Sequence, residues 1–128
     1  MSLLVFVLVC AAGGLGAVLR FVVDGSTRAR FPTTFPFGTA LINVSGSFVL
    51  GLLTGLTLSA PLLPHDWEAI LGTGLLGGYT TFSTASIETM RLVQRRQYAS
   101  AVTNGLGVLI LTVALGATGL WIGANVCR

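Results

Sequence analysis

Apolar residues run along the chain in four long stretches, each closed by a short cluster of charged, small polar or proline positions. The first covers about 3–23 and gives way to DGSTRARFPTTFP at 24–36, with charge and two prolines. The second covers 37–60 and is closed by PLLPHDW; the third covers 67–90 and is followed by RLVQRRQ; the fourth covers 99–124. A bilayer core about 30 Å thick takes about 20 helical residues per crossing, so each stretch is long enough to span. None shows the alternating ten-residue segments of a barrel strand. The predicted fold is a single all-α transmembrane domain over 1–128, with four helices and short loops. Trp67 and Trp121 fall near span ends, where indole rings favour the headgroup zone.

Composition removes the water-soluble alternative. Of 128 residues, 53% are hydrophobic and 9% charged, and the mean hydropathy is +0.88. A soluble domain carries about 25% charged residues, so this chain cannot coat itself for water. It also leaves no room for an extramembrane enzyme domain. The N-terminus has no basic segment before its apolar run, so it is expected to be kept as a span and not cleaved.

All seven basic residues are arginine. Arg20, Arg28, Arg30, Arg91, Arg95 and Arg96 flank the first and third loops, and Arg128 alone lies on the other side. The positive-inside rule then puts loops 1 and 3 in the cytoplasm and both termini outside. Arginines at the ends of apolar runs do not form the exposed basic stripe of a nucleic-acid binder. Cys10 and Cys127 stand at opposite ends of the chain, in no metal-binding spacing, and are not expected to pair.

Polar and small residues inside the spans carry the candidate chemistry. The chain has 17 glycines, and Gly51 with Gly55 and Gly119 with Gly123 match the GxxxG spacing that lets helices pack closely. LLGGYTTFSTAS at 75–86 sets two glycines and five hydroxyl residues near the middle of the third span. Two readings fit. Either the helix breaks and frees carbonyls of Gly77, Gly78 and Thr80 for a cation, or it packs tightly with its hydroxyls bonded to preceding carbonyls. Asn43, in INVSGSF, must find a partner in hydrocarbon, as helix glue or as a pore donor. Asn104 and Thr112 pose the same choice in the fourth span, with Val108 between them. Glu88 is expected to pair with Arg91 or Arg95 one turn away. A lone His65 and serines without an activating base make no catalytic constellation, so the chain is not read as an enzyme.

GGLGAVLR at 13–20, GTALINVSGSFVLG at 38–51 and GTGLLGGYTTFST at 72–84 resemble the signature stretches of the fluoride channel family called Fluc or CrcB, over nearly the whole chain. Small multidrug transporters share the size, but the membrane glutamate expected in their first helix is missing. The resemblance implies a passive, fluoride-selective channel of the plasma membrane, lowering cytoplasmic fluoride and built as an antiparallel two-pore dimer with a third helix broken near its middle. It implies a structural Na+ at the dimer centre, held by the carbonyls of Gly77 and Thr80. It makes Asn43 a pore amide that orients a phenylalanine and offers a donor to the ion, and Phe82 a ring lining the fluoride path. The hydroxyl track would include Thr81 or Ser83, with Thr112, while Gly13, Gly14, Gly46 and Gly78 would serve packing and Arg20 would end the first glycine motif.

One departure stands out. The family pattern usually reads TTFSTF, and here Ala85 replaces the second phenylalanine. With the six-to-one arginine bias, which opposes insertion in both orientations, Ala85 points to pairing with a distinct, oppositely oriented family member. A homodimer is the alternative. Outside this class, a small proton-coupled exporter would need Glu88 or Asp24 in an accessible membrane cavity, and a non-conducting subunit would use the same polar residues only as packing glue.

Overall fold

The computed structural model describes residues 1–59 and 63–126. Within them the chain forms helices and no strands: α1 (Leu3–Arg30), α2 (Phe37–Ser59), α3 (65–79), α4 (Phe82–Gln94) and α5 (Tyr98–Asn125). α1, α2 and α5 are long and apolar enough to cross a membrane. α3 and α4 follow in tandem, separated by extended residues at Thr80 and Thr81. Ala60, Cys127 and Arg128, on which the span limit, the cysteine pairing and the arginine count partly rest, lie outside the described residues.

The sequence marks most of these ends. The Ser2 hydroxyl accepts the Val5 N–H at 3.2 Å and caps α1. Loop 1 is shorter than its polarity predicts, because α1 continues through DGSTRAR to Arg30. Arg28 pairs with Asp24 one turn back at 3.0 Å, and the Thr27 hydroxyl donates to the Val23 carbonyl at 2.7 Å. Polarity marks where the apolar span ends; the helix stops only near Pro32, which disfavours helical backbone at Phe31. Loops 1 and 3 meet at one end of the molecule, where the Thr34 hydroxyl donates to Gln97 Oε1 at 3.0 Å. In loop 3, α4 closes with the Arg96 N–H on the Val93 carbonyl and the Gln97 N–H on the Leu92 carbonyl. This closure holds Arg96 in the left-handed region at φ 58°, where glycine is usual.

Two segments are wound more widely than an α-helix. Residues Ala69–Leu76 in α3 and Thr103–Gly107 in α5 are π-helical. The Gly77 N–H reaches back five residues to the Gly72 carbonyl, and the Val108 N–H five residues to Thr103.

Helices meet through glycine. α2 packs along α5, where a Cβ placed on Gly51, Gly55, Gly119 or Gly123 would strike the backbone of Gly116, Leu120, Phe48 or Leu52. The GxxxG pairs read from the sequence are therefore the two faces of one seam, bridged by the Ser59 hydroxyl on the Gly123 carbonyl at 3.0 Å. α1 packs on α3 in the same way: Gly16 faces the Leu75 carbonyl and Gly78 the Gly13 carbonyl. Gly14 turns away, and a Cβ there meets nothing within 4 Å.

Little apolar surface is enclosed. Among the described residues the buried hydrophobic side chains are Val5, Ile42, Leu76, Leu92 and Ala101, while Phe21, Ile110 and Trp121 lie two thirds or more exposed. An outside more apolar than the inside suits lipid and protein contacts, not water.

Candidate functional site

The break between α3 and α4 lies against the middle of α2. Asn43 reaches across from α2 and grips Thr81 at both backbone atoms. Its Nδ2 donates to the Thr81 carbonyl at 2.8 Å, and its Oδ1 accepts the Thr81 N–H at 2.8 Å. An amide carries a donor and an acceptor side by side, so its oxygen replaces the partner the Thr81 N–H would have had in a continuous helix while its nitrogen adds a bond to the carbonyl at the N-cap of α4. Gly46, one turn on, has no side chain where the Thr80 methyl sits. On the far side of Gly46, the Ser45 hydroxyl and the Tyr79 phenol lie 3.1 Å apart.

The new helix starts at once. The Thr81 hydroxyl accepts the Thr84 N–H at 3.3 Å, an N-cap for α4, and lies 3.1 Å from the Thr84 hydroxyl and 3.4 Å from that of Ser83. The break of one sequence reading and the close packing of the other thus occur together. The helix breaks, α3 packs closely on α1, and the Thr80 and Ser86 hydroxyls bond the carbonyls four residues back, of Leu76 and Phe82.

Because α3 ends here, its last carbonyls lose their helical partners. The Thr81 N–H that would bond the Gly77 carbonyl is held by Asn43, and the Thr84 N–H that would bond the Thr80 carbonyl is held by the Thr81 hydroxyl. Gly77 is exposed, and the Thr80 carbonyl receives only a long contact from Arg20 Nη1 at 3.4 Å. Neutral backbone oxygens released in this way suit a hard cation. No cluster of three or more His, Cys, Asp or Glu side chains exists among the described residues to hold a metal otherwise.

The break opens onto a groove of about 900 Å³ between α2, α3, α4 and α5. Asn43, Gly77, Thr80, Thr81 and Phe82 line one wall, and Asn104, Val108 and Thr112 of α5 line the other. Phe82 stands 85% exposed as the first residue of α4. Ser83 faces outward and does not line the groove. Thr112 lines it with its hydroxyl proton on the Leu109 carbonyl at 2.7 Å, which leaves the oxygen as an acceptor. Ala85 also lines it, and its carbonyl accepts the Thr89 hydroxyl at 2.8 Å. Asn104 is buried, and its Nδ2 donates to Thr89 Oγ1 at 2.8 Å, fastening α5 to α4. Asn104 is therefore helix glue at its amide nitrogen.

Glu88 corrects its expected pairing. It does not bond Arg91 or Arg95 on its own helix but reaches Arg28 of α1 at 3.2 Å, with its side chain buried. Arg28 holds Asp24 as well, so both acids that an exporter would need are engaged at the end of the molecule, away from the large groove. Spacing along one helix could not show this pair, which joins residues 60 apart in sequence.

Similarity to known proteins is specific. Residues 7–124 match the family described as CrcB-like protein, Camphor Resistance (CrcB). The chain is 56% identical over 123 residues to the Fluoride-specific ion channel FluC 1 of Leifsonia xyli subsp. xyli (strain CTCB07), covering 96% of this chain and 89% of that protein. It is 42% identical over 122 residues to the FluC 2 of Mycobacterium bovis (strain ATCC BAA-935 / AF2122/97), covering 95% and 93%. It is also 42% identical over 118 residues to the FluC 2 of Cutibacterium acnes (strain DSM 16379 / KPA171202), covering 92% and 96%. The resemblance read from the three glycine-rich stretches holds, and the chain belongs to the CrcB family.

Proposed function

We propose, from membership in that family and from the groove, that this chain is a subunit of a fluoride-selective channel of the plasma membrane that lets the ion leave the cytoplasm passively. The observation that carries the reading is the pairing of Asn43 with a helix break that leaves Phe82 open to the groove. Fluoride is small and strongly hydrated, so a pore must replace its water with donors. The second N–H of the Asn43 amide and the positive edge of the Phe82 ring are of that kind, and the hydroxyls of Thr81 and Thr112, whose protons lie on Thr84 Oγ1 and the Leu109 carbonyl, would join them by turning toward the ion. Ser83 would serve the same track from outside the groove wall. None of these groups needs to titrate, so passage requires no coupled proton.

A groove of this size along one face of a single chain is half a pathway. A second subunit in the opposite orientation would close it and give an antiparallel dimer with two pores. The carbonyls of Gly77 and Thr80 would hold a structural sodium ion at its centre. Bound there, the cation would raise the positive potential felt by a passing anion. Ala85 offers no ring on this wall, and the arginine bias favours one orientation, which supports an oppositely oriented family member as the partner. A homodimer is the competing assembly.

Fluoride efflux from liposomes tests both levels. Fast efflux from the purified chain alone, competed poorly by chloride and abolished by Asn43→Leu and Phe82→Ala, would establish a self-sufficient homodimer. No efflux until a second family member is added would establish the heterodimer, and no efflux in either case would overturn the channel reading.

A further inference from the structure

A second cavity, of about 290 Å³, opens at the end of the molecule where loops 1 and 3 meet. Loop 1 forms its rim, with Phe31, Phe35 and Phe37 clustered at ring separations of 4.8–5.8 Å. α4 supplies Glu88 and Arg91 to its wall, with Arg95 at its C-cap, and α1 supplies Asp24 and Arg28. Arg28 lies between the two carboxylates, at 3.0 Å from Asp24 and 3.2 Å from Glu88. The two acids therefore share one guanidinium, and the second oxygen of Glu88 is buried without a hydrogen-bond partner. Arg91 and Arg95 are exposed, line the same cavity and make no ion pair among the described residues.

We propose that this cavity binds a phosphate group between Arg91 and Arg95, carried by the headgroup of an anionic phospholipid. Arg95 caps α4 with its N–H on the Arg91 carbonyl at 3.1 Å, one turn beyond Arg91, so the two guanidinium forks can present a row of donors to one tetrahedral anion, the geometry in which arginine excels. Three guanidiniums against two carboxylates leave the cavity positive. Its volume is far more than a single-atom anion needs and accommodates a phosphate with its glycerol. Its place identifies the source. The site lies at the ends of α1 and α4, beside the half-exposed rings of Phe31 and Phe37, at the level where aromatic side chains meet headgroups, and basic pockets between spans at that level attract anionic lipid. The inference does not rest on fluoride conduction.

The test uses the full chain purified in detergent, with bound lipid read by native mass spectrometry. Phosphatidylglycerol, phosphatidylcholine and inorganic phosphate are each added at matched concentration. The expected result is retention of phosphatidylglycerol over phosphatidylcholine and no displacement by inorganic phosphate. Joint Arg91→Gln and Arg95→Gln substitution should weaken phosphatidylglycerol about thirtyfold. Arg30→Gln, outside the cavity, should leave it unchanged, and Arg95→Lys should retain most of it. Both mutated arginines are exposed and unpaired, so the variants should fold. Equal retention of the two lipids, or no loss in the double variant, would overturn the proposal. Displacement of lipid by inorganic phosphate would overturn the lipid as the source and leave a free-phosphate site.

Discussion

The seam between α2 and α5 and the break between α3 and α4 both depend on glycine and both sit within the spans, yet they are held in opposite ways. At the seam the helices run on without a break, and glycine only removes the atoms that would hold two backbones apart. At the break the backbone loses its partners, and one amide and one hydroxyl must supply them. Polar residues in this chain serve where backbone partners are missing. Where packing suffices, the contact is made by missing side chains; where the helix is interrupted, it is made by side chains that imitate a backbone.

The comparison can be broken most forcefully at Asn43. Asn43→Leu keeps the volume but orphans the Thr81 N–H and removes one bond to its carbonyl, and should cost about 1–3 kcal/mol in denaturant unfolding from detergent while abolishing fluoride efflux. Unchanged stability would mean that the break does not depend on the amide. At the seam, Gly55→Ala places a methyl against the Leu120 carbonyl and the Ala124 N–H. It should cost about 1–3 kcal/mol through overpacking, and the protein that still folds should keep its anion preference in a chloride competition assay.

Smaller changes sharpen the contrast. Thr81→Val removes the α4 cap with little change in shape and should cost about 1 kcal/mol, whereas Thr81→Ser should restore the loss in the same unfolding measurement. Gly14→Ala, one residue from the α1–α3 contact but facing open space, should shift stability by less than about 0.5 kcal/mol. A large cost there would reveal a neighbour, such as a second subunit, against that face.

Much of this was legible locally. Long apolar runs announce helices, GxxxG pairs announce the seam, and adjacent glycines followed by threonines announce a weak point in the third span. What local reading missed follows from contacts made far along the chain. The two-point grip of Asn43 joins residues 38 apart, and the Arg28–Glu88 pair joins residues 60 apart. The helix through DGSTRAR was hidden for another reason: charge reports the edge of the hydrocarbon, while helix length is set by capping, ion pairs and the next proline. The widened turns of α3 and α5 leave no residue signature, since five-residue closure is chosen by what the neighbouring helices require.

The π-helical stretch Ala69–Leu76 has a genetic consequence. A wide turn accommodates an added residue without moving what lies on either side, and removing one residue from it would rewind the stretch toward 3.6 residues per turn. Every position downstream would then keep its place on the screw and Thr81 its reach to Asn43, whereas the same deletion in a regular α-helical stretch would turn everything after it by about 100°. For this chain the spacing between Trp67 and Gly77 is therefore a place where length can vary, and a single-codon deletion there should be more forgiving than one within α2.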